Sequence, residues 1–328
     1  MTLGCAAQVK LAMQHVALLY NPVSGQYSSR RDATVQEALT VLRDAGVTAE
    51  AFITVTPESA AAQAQQSVRQ GCDTILACGG DGTVHAILQT LVGTEVALGV
   101  IPLGTANALA ANLGLIASPA RVARTLLNAA AVRVPVGRIH FHDSAGNPAS
   151  RYFLVAAGIG ADALLMSRMD ARLKRRFGYA LYVVEAFRIW ATHHFPLFEA
   201  AFISNGSHAP RVVQASQLLA VRVRSFGGVL RELAPGATLR NGSLNLLAFR
   251  TRSRLRFLRF LLAVLFRHHT FSGEVELLEA ASVECRALSG CPAPIFVEAD
   301  GEVLGSLPVR MEVVPQALTL LIPPHAQP

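Results

Sequence analysis

The stretch Cys78-Gly79-Gly80-Asp81-Gly82-Thr83 constrains this chain more than any other. Before it, Asp73-Thr74-Ile75-Leu76-Ala77-Cys78 is short, apolar and β-branched, as a strand buried in a parallel sheet is. After it, Val84 to Leu91 carries apolar residues at helical spacing, and Gly93 offers a stop. The glycines therefore occupy a strand-to-helix turn, the place where open α/β sheets bind their ligands. Glycine lets the backbone pass close to a ligand and present N–H groups to it. The start of the helix that follows favours an anion. A carboxylate beside a phosphate is repulsive unless it serves a metal ion or a proton transfer. Asp81 thus marks the turn as a site of phosphate chemistry.

The strand–turn–helix unit recurs through the first part of the chain. Val16 to Tyr20 reads as a strand running into Asn21-Pro22-Val23-Ser24-Gly25, a turn of small and capping residues. A helix follows from about Asp32 to Ala45, ended by Gly46. Val47 to Val55 is a second strand, and Thr56-Pro57-Glu58-Ser59 opens a helix through about Gln70. After the glycine turn, Val96 to Ile101 is a further strand that closes on Pro102-Leu103-Gly104-Thr105-Ala106-Asn107, with a helix from about Ala108. Residues 1–133 are therefore expected to form a doubly wound α/β domain.

Near Val132 the pattern changes. Short strand-like runs dominate residues 134–328: Val134–Phe141, Arg151–Ala157, Leu197–Ser204, Arg211–Val223, Ser243–Phe249, Glu274–Glu284, Ile295–Glu298 and Val309–Val314. Turn signals such as Ser204-Asn205-Gly206 and Arg240-Asn241-Gly242-Ser243 separate them. Helices are expected over about Ala161–His194, broken near Gly178, and over about Ser253–His269. The second domain reads as a mainly antiparallel β-sandwich with helices at its rim, and the extreme C-terminus is a candidate to pack back on the first domain.

The mean hydropathy of +0.38 raises the question of membrane insertion. The most apolar helical run, Phe257 to Phe266, contains Arg259 and is far shorter than the roughly 18 apolar residues of a spanning helix. Residues 1–20 lack the layout of a signal peptide. The five cysteines are odd in number and set in apolar surroundings, which suits reduced thiols in a cytoplasmic protein. Between Ala200 and Gly273 stand eleven arginines and a single acid, Glu232, a balance that attracts polyanions or anionic head groups. No nucleic-acid-binding module accompanies that charge, so a nucleic-acid partner is not expected.

Asn21-Pro-Val-Ser-Gly25, Gly79-Gly-Asp-Gly-Thr83 and Pro102-Leu-Gly-Thr-Ala-Asn107 follow one another in order, each after a strand. This set resembles the diacylglycerol kinase catalytic-domain family, which includes bacterial lipid kinases and the sphingosine and ceramide kinases. Ala157-Gly-Ile-Gly-Ala-Asp162 and Glu298-Ala-Asp300-Gly-Glu302 extend the resemblance into the second half. The resemblance implies an ATP- and Mg²⁺-dependent lipid kinase, with a nucleotide held between the two domains and phosphate passed to a lipid hydroxyl. It implies that Asn21, Pro22, Ser24, Gly25, Gly79, Gly80, Asp81, Gly82, Thr83, His85, Gly104, Thr105, Asn107 and Glu302 surround the nucleotide. Either Thr54 or Thr56 would touch it. Asp300 would accept the hydroxyl proton, with Asp81 as the rival base, and Asp162 would orient a substrate or water-bound metal, or else cap the helix it precedes.

The chain departs from the family pattern at two points. Gln26 replaces the basic residue that often follows the first turn, and Arg30 or Arg31 could supply the missing charge. Asn241 and Asn245 stand in a loop where many bacterial relatives carry aspartates around a structural Mg²⁺. Neutral amides are poor ligands for a hard cation, so that accessory site is expected to be weak or absent. The arginine and apolar residues of Arg252 to Leu262, with the cluster Arg172, Lys174, Arg175, Arg176 and Phe177, suit peripheral contact with a membrane. Two other readings remain open: an NAD kinase-like enzyme, and a nucleotide- or lipid-binding protein without catalysis.

Overall fold

The computed structural model describes residues 13–22, 31–168, 179–204, 210–224, 226, 234, 236–265, 275–291 and 293–326. Ser24, Gly25, Gln26, Arg30 and the cluster from Arg172 to Phe177 lie outside them, as does the side chain of Arg31. The chain divides into two compact units, Met1–Val136 with Pro315–Pro328, and Gly137–Val314.

In the first unit, β1 (His15–Tyr20), β2 (Thr48–Ile53), β3 (Thr74–Gly79) and β4 (Ala97–Pro102) lie in the order β2-β1-β3-β4, all parallel. Strands β1, β3 and β4 are apolar runs because both faces are covered, with Leu18, Leu19, Ile75 and Leu76 fully buried, whereas β2 lies at the edge and is partly exposed. Helix α1 (Arg31–Asp44) packs on α5 (Pro119–Leu126), and α2 (Pro57–Arg69) packs on α3 (Asp81–Leu91). A short α4 (Ala108–Asn112) lies between α3 and α5 in sequence. Chain order reverses between β1 and β3, which makes the carboxyl ends of those two strands the topological switch point of the sheet. The end of strand β16 (Val309–Ile322) adds to the same sheet, with Thr319 and Leu320 parallel to Ala97 and Leu98 of β4.

The second unit contains an antiparallel sheet of β12 (Val275–Ala280), β11 (Leu244–Phe249), β10 (Gln217–Val221), β7 (Ala156–Ile159), β14 (Phe296–Ala299) and β15 (Glu302–Ser306), in that order. A further antiparallel layer comes from β8 (Phe198–Ile203), β9 (Arg211–Ala215), β13 (Ser282–Ala287), the start of β16, and the hairpin of β5 (Ala130–His142) with β6 (Pro148–Phe153). Their inner faces share one core of Phe153, Phe198, Phe202, Ile159, Leu218, Leu246, Val283, Val297 and Met311. Helices α6 (Ala161–Arg168), α7 (Tyr179–Thr192) and α8 (Arg254–Leu265) complete the unit. The fold class is therefore that expected from the sequence: a mostly parallel α/β sheet followed by an antiparallel β domain. The run Arg211–Val223 is two strands rather than one, because Ser216 turns inward and bonds the carbonyls of Phe249 and Thr251.

Candidate functional site

At the switch point of the first unit, β3 ends on Gly79 and α3 begins at Asp81, three residues earlier than the periodicity from Val84 suggests. None of Gly79, Gly80 and Gly82 has a positive φ, so close approach and not backbone conformation accounts for the first two. A Cβ on Gly79 would overlap the side chain of Thr83. Gly80 meets Gly104 backbone to backbone: a Cβ on Gly104 would stand 2.6 Å from the Cα of Gly80. Gly80 is the N-cap of α3 and offers no side chain to the first N–H groups of that helix. A hollow of about 180 Å³ opens beside them, lined by Asn21, Thr56, Pro57, Gly80, Gly82 and Thr83. An uncapped helix start at a sheet's switch point is a ready anion site.

Asp81 holds this arrangement together. Its carboxylate accepts the N–H of Asn107 at 3.0 Å and of Ala108 at 2.8 Å, capping α4 from outside that helix. Asn107 has φ 50°, and its side-chain amide closes on the backbone N–H and carbonyl of Gly104. The N–H of Asn21 donates to the carbonyl of Cys78, and that of Leu103 to the carbonyl of Gly79. The three turns singled out in the sequence are thus joined by hydrogen bonds. Of the two candidate threonines, Thr54 is 1% exposed with its hydroxyl on the carbonyl of Tyr20, whereas Thr56 lines the hollow and caps α2. Pro22 is half-buried, Thr105 is exposed, and His85 is buried within α3 against Gln89.

The second unit gathers the remaining acidic residues. Asp300 sits at φ 48° in the turn between β14 and β15. Its carboxylate accepts three consecutive N–H groups, those of Leu154 (2.9 Å), Val155 (2.9 Å) and Ala156 (3.0 Å). Its own N–H returns to the carbonyl of Ala156. Asp162, at the start of α6, is half-buried, but both its carboxyl oxygens are enclosed and neither has a well-aligned partner. Burial pushes its carboxyl up to about 7, partly offset by the N–H groups of Ala163 and Asp162. The residue against it is Glu298, directly across from Gly158 in the sheet. A Cβ on Gly158 would coincide with Asp162 Oδ2, and Glu298 Oε1 lies 2.9 Å from the same point. Glu298 also accepts the N–H of Gly301 at 2.7 Å, while Glu302 is exposed.

Sequence reasoning missed Arg222. It follows β10, is 1% exposed, and donates to the carbonyls of Leu239 and Asn241. Its position at the end of an apolar strand run reads as a surface end, and no local pattern marks it as buried. The loop it grips is the one expected to hold an accessory metal weakly. Asn241 Oδ1 already accepts the hydroxyl of Thr238 at 2.9 Å, and its Nδ2 donates to the carbonyl of Gly236. Asn245 buries its Nδ2, a donor, without an acceptor among the described residues. These groups do not fit a hard divalent cation. Among the described residues no three His, Cys, Asp or Glu side chains gather as a metal site.

Residues 15–139 match the diacylglycerol kinase catalytic domain, and residues 154–322 match the YegS C-terminal NAD kinase beta sandwich-like domain. A diacylglycerol kinase of Mycobacterium tuberculosis is 29% identical over 94% of this chain and 96% of its own length. Among solved structures, a diacylglycerol kinase from Bacillus anthracis shares the fold with a TM-score of 0.69 at 18% identity, over 96% of this chain and 98% of that one. A yeast NADH kinase complexed with NADH aligns with a TM-score of 0.50 at 11% identity, over 95% of this chain and 84% of that one. With both domain models matched in order along nearly its whole length, the chain belongs to the diacylglycerol kinase family of lipid kinases, built on an NAD kinase-like fold.

Proposed function

We propose that this protein transfers the γ-phosphate of ATP to the hydroxyl of a membrane lipid of the diacylglycerol, ceramide or sphingoid class. The observation that carries the reading is the hollow at the β1/β3 switch, bounded by Gly80, Gly82 and Thr83 at an uncapped helix start, in a diacylglycerol kinase catalytic domain. Backbone N–H groups there suit a polyphosphate, and Asn21 and Thr56 on the rim suit the rest of the nucleotide. The lipid oxygen forms a bond to the γ-phosphorus while the bond from that phosphorus to the β,γ-bridging oxygen breaks, and ADP leaves with the electron pair. The hydroxyl proton goes to Asp300, whose carboxylate is fixed by its three N–H donors and so is ready oriented. Asp81 keeps the third turn against the glycine turn. Mg²⁺ bound with the nucleotide would supply charge neutralisation, and Asp81 is the acidic side chain next to the hollow that would lie beside it.

Access to lipid has its own support in the second unit. Helices α7 and α8 pack together, and Trp190 Nε1 donates to the carbonyl of Arg254. They leave Val184, Phe187 and Leu255 exposed at 61%, 63% and 74%, beside exposed Arg188, Arg256 and Arg259. Apolar side chains among arginines suit the headgroup region of an anionic bilayer. Among the described residues no helix is long and apolar enough to cross a membrane, so contact would be peripheral. The test is ATP with vesicles containing diacylglycerol: phosphatidic acid formed in a protein-dependent manner supports the reading, and its absence across diacylglycerol, ceramide and sphingoid bases sinks it.

A further inference from the structure

The loop before β11 raises a physical problem that its own side chains do not solve. The carbonyls of Leu239 and Asn241 turn inward, and a buried carbonyl needs a donor or a cation. Neither Asn241 nor Asn245 provides one, since the amide of Asn241 is closed on Thr238 and Gly236. Arg222 does: its Nη2 donates to the Leu239 carbonyl at 3.4 Å and to the Asn241 carbonyl at 3.2 Å. A guanidinium that is 1% exposed would be costly to bury without an opposing charge. The negative charge of Asp300 favours the cationic form, and although burial lowers the Arg222 pKa to about 10, the side chain stays cationic at neutral pH. The two residues also share a backbone segment. Val155 gives its N–H to the Asp300 carboxylate and takes the N–H of Arg222 on its carbonyl, at 2.9 Å each.

We propose that the guanidinium of Arg222 is the resident cation of this loop, holding the Leu239 and Asn241 carbonyls and balancing Asp300 in place of an accessory metal ion. A side chain differs from a bound ion in two ways: chelators cannot remove it, and its planar fork directs its donors at fixed angles. Full enclosure keeps Arg222 from substrate phosphate, so it is a positioning residue, acting on the Leu154–Ala156 cradle of Asp300. This positioning part rests on the proton-accepting role proposed for Asp300; the metal independence does not.

The test uses the full chain without nucleotide, melted in EDTA and in millimolar Mg²⁺ or Ca²⁺. The expected midpoints agree within about 1 °C, because no divalent ion binds the native state selectively. A midpoint several degrees higher with Mg²⁺ than with EDTA would overturn the proposal. Arg222→Met should lower the midpoint by roughly 5 °C or more, and Arg222→Lys by less, since an ammonium keeps the charge but not the fork. Arg222→Met melting with the wild type would also overturn it. If Arg222→Met fails to fold, Arg222→Lys and the wild-type metal comparison still decide. In lipid phosphorylation Arg222→Lys should lose on the order of tenfold in kcat with KM for ATP within about twofold. A loss confined to KM would refute the positioning role. A wild type with no lipid kinase activity would refute the proposed function alone, leaving the melting results to judge Arg222.

Discussion

Asp81 and Asp300 both precede a glycine near the end of a strand, and both carboxylates capture backbone N–H groups of a neighbouring turn. Asp81 reaches two N–H groups at the start of α4, and everything it organises is backbone: glycine turn, helix starts, an open hollow. Asp300 sits in the left-handed region, folds back on three N–H groups, and faces the charge of a buried arginine. The first region opens an uncapped helix start onto a hollow, an arrangement that favours an anion. The second holds one carboxylate in a fixed place on three N–H groups. In the proposed function these similar short motifs serve different ends, one in binding and one in chemistry.

The sharpest way to break that comparison is to neutralise each aspartate in turn. Asp300→Asn should reduce kcat by roughly 10²–10⁴ while ATP affinity stays within a few-fold. Asp81→Asn should weaken ATP binding by roughly tenfold or more, as two charge-assisted bonds to Asn107 and Ala108 are degraded. Steady-state kinetics with ATP titration separates the two, and an exchange of the phenotypes would show the roles reversed.

The next largest effects fall on glycines that make room. Gly158→Ala drives a methyl into the Asp162 carboxyl, and Gly104→Ala drives one against the backbone of Gly80 and to 2.8 Å from Asn107 Oδ1. Each should cost roughly 1–3 kcal/mol in urea unfolding. Gly104→Ala should also raise KM for ATP, and Gly158→Ala should not.

A separate effect concerns pH. The folded-state pKa of Asp162 is raised to about 7, above its unfolded value, so between the two the native state binds more protons than the unfolded chain. Stability should therefore fall as pH rises from about 4 to 7, by at most about 1.4 kcal/mol per pH unit. Asp162→Asn should flatten that slope in urea midpoints measured across the range. The smallest effect is at the surface: Leu255→Ser should reduce binding to anionic vesicles several-fold in sedimentation, with the melting temperature unchanged, because Leu255 is 74% exposed.

Much of the fold was legible because its signals are local. Apolar strands, glycine turns and Pro57 at a helix start identify the parallel sheet without any knowledge of long-range contacts. Helix α5 escaped notice although Ser118-Pro119 is a helix-start signal, because α4 just before it absorbed the expected helix. The turns around the hollow were legible as motifs; that Thr56 and not Thr54 lines it depends on which side of the strand end faces inward. Asp162 and Arg222 show the limit. Asp162 is buried near Glu298, and Arg222 under Leu239 and Asn241, partners well separated from them in sequence, so no spacing rule could reveal a carboxyl pushed up to about 7 or a guanidinium in a core.

The most direct test is to incubate the protein with ATP carrying a radiolabelled γ-phosphate and a panel of diacylglycerol, ceramide, sphingoid base, phosphatidylglycerol and NAD. The account predicts label in the lipid fraction, lost with Asp300→Asn. Label in NAD alone, or in no acceptor, would contradict it.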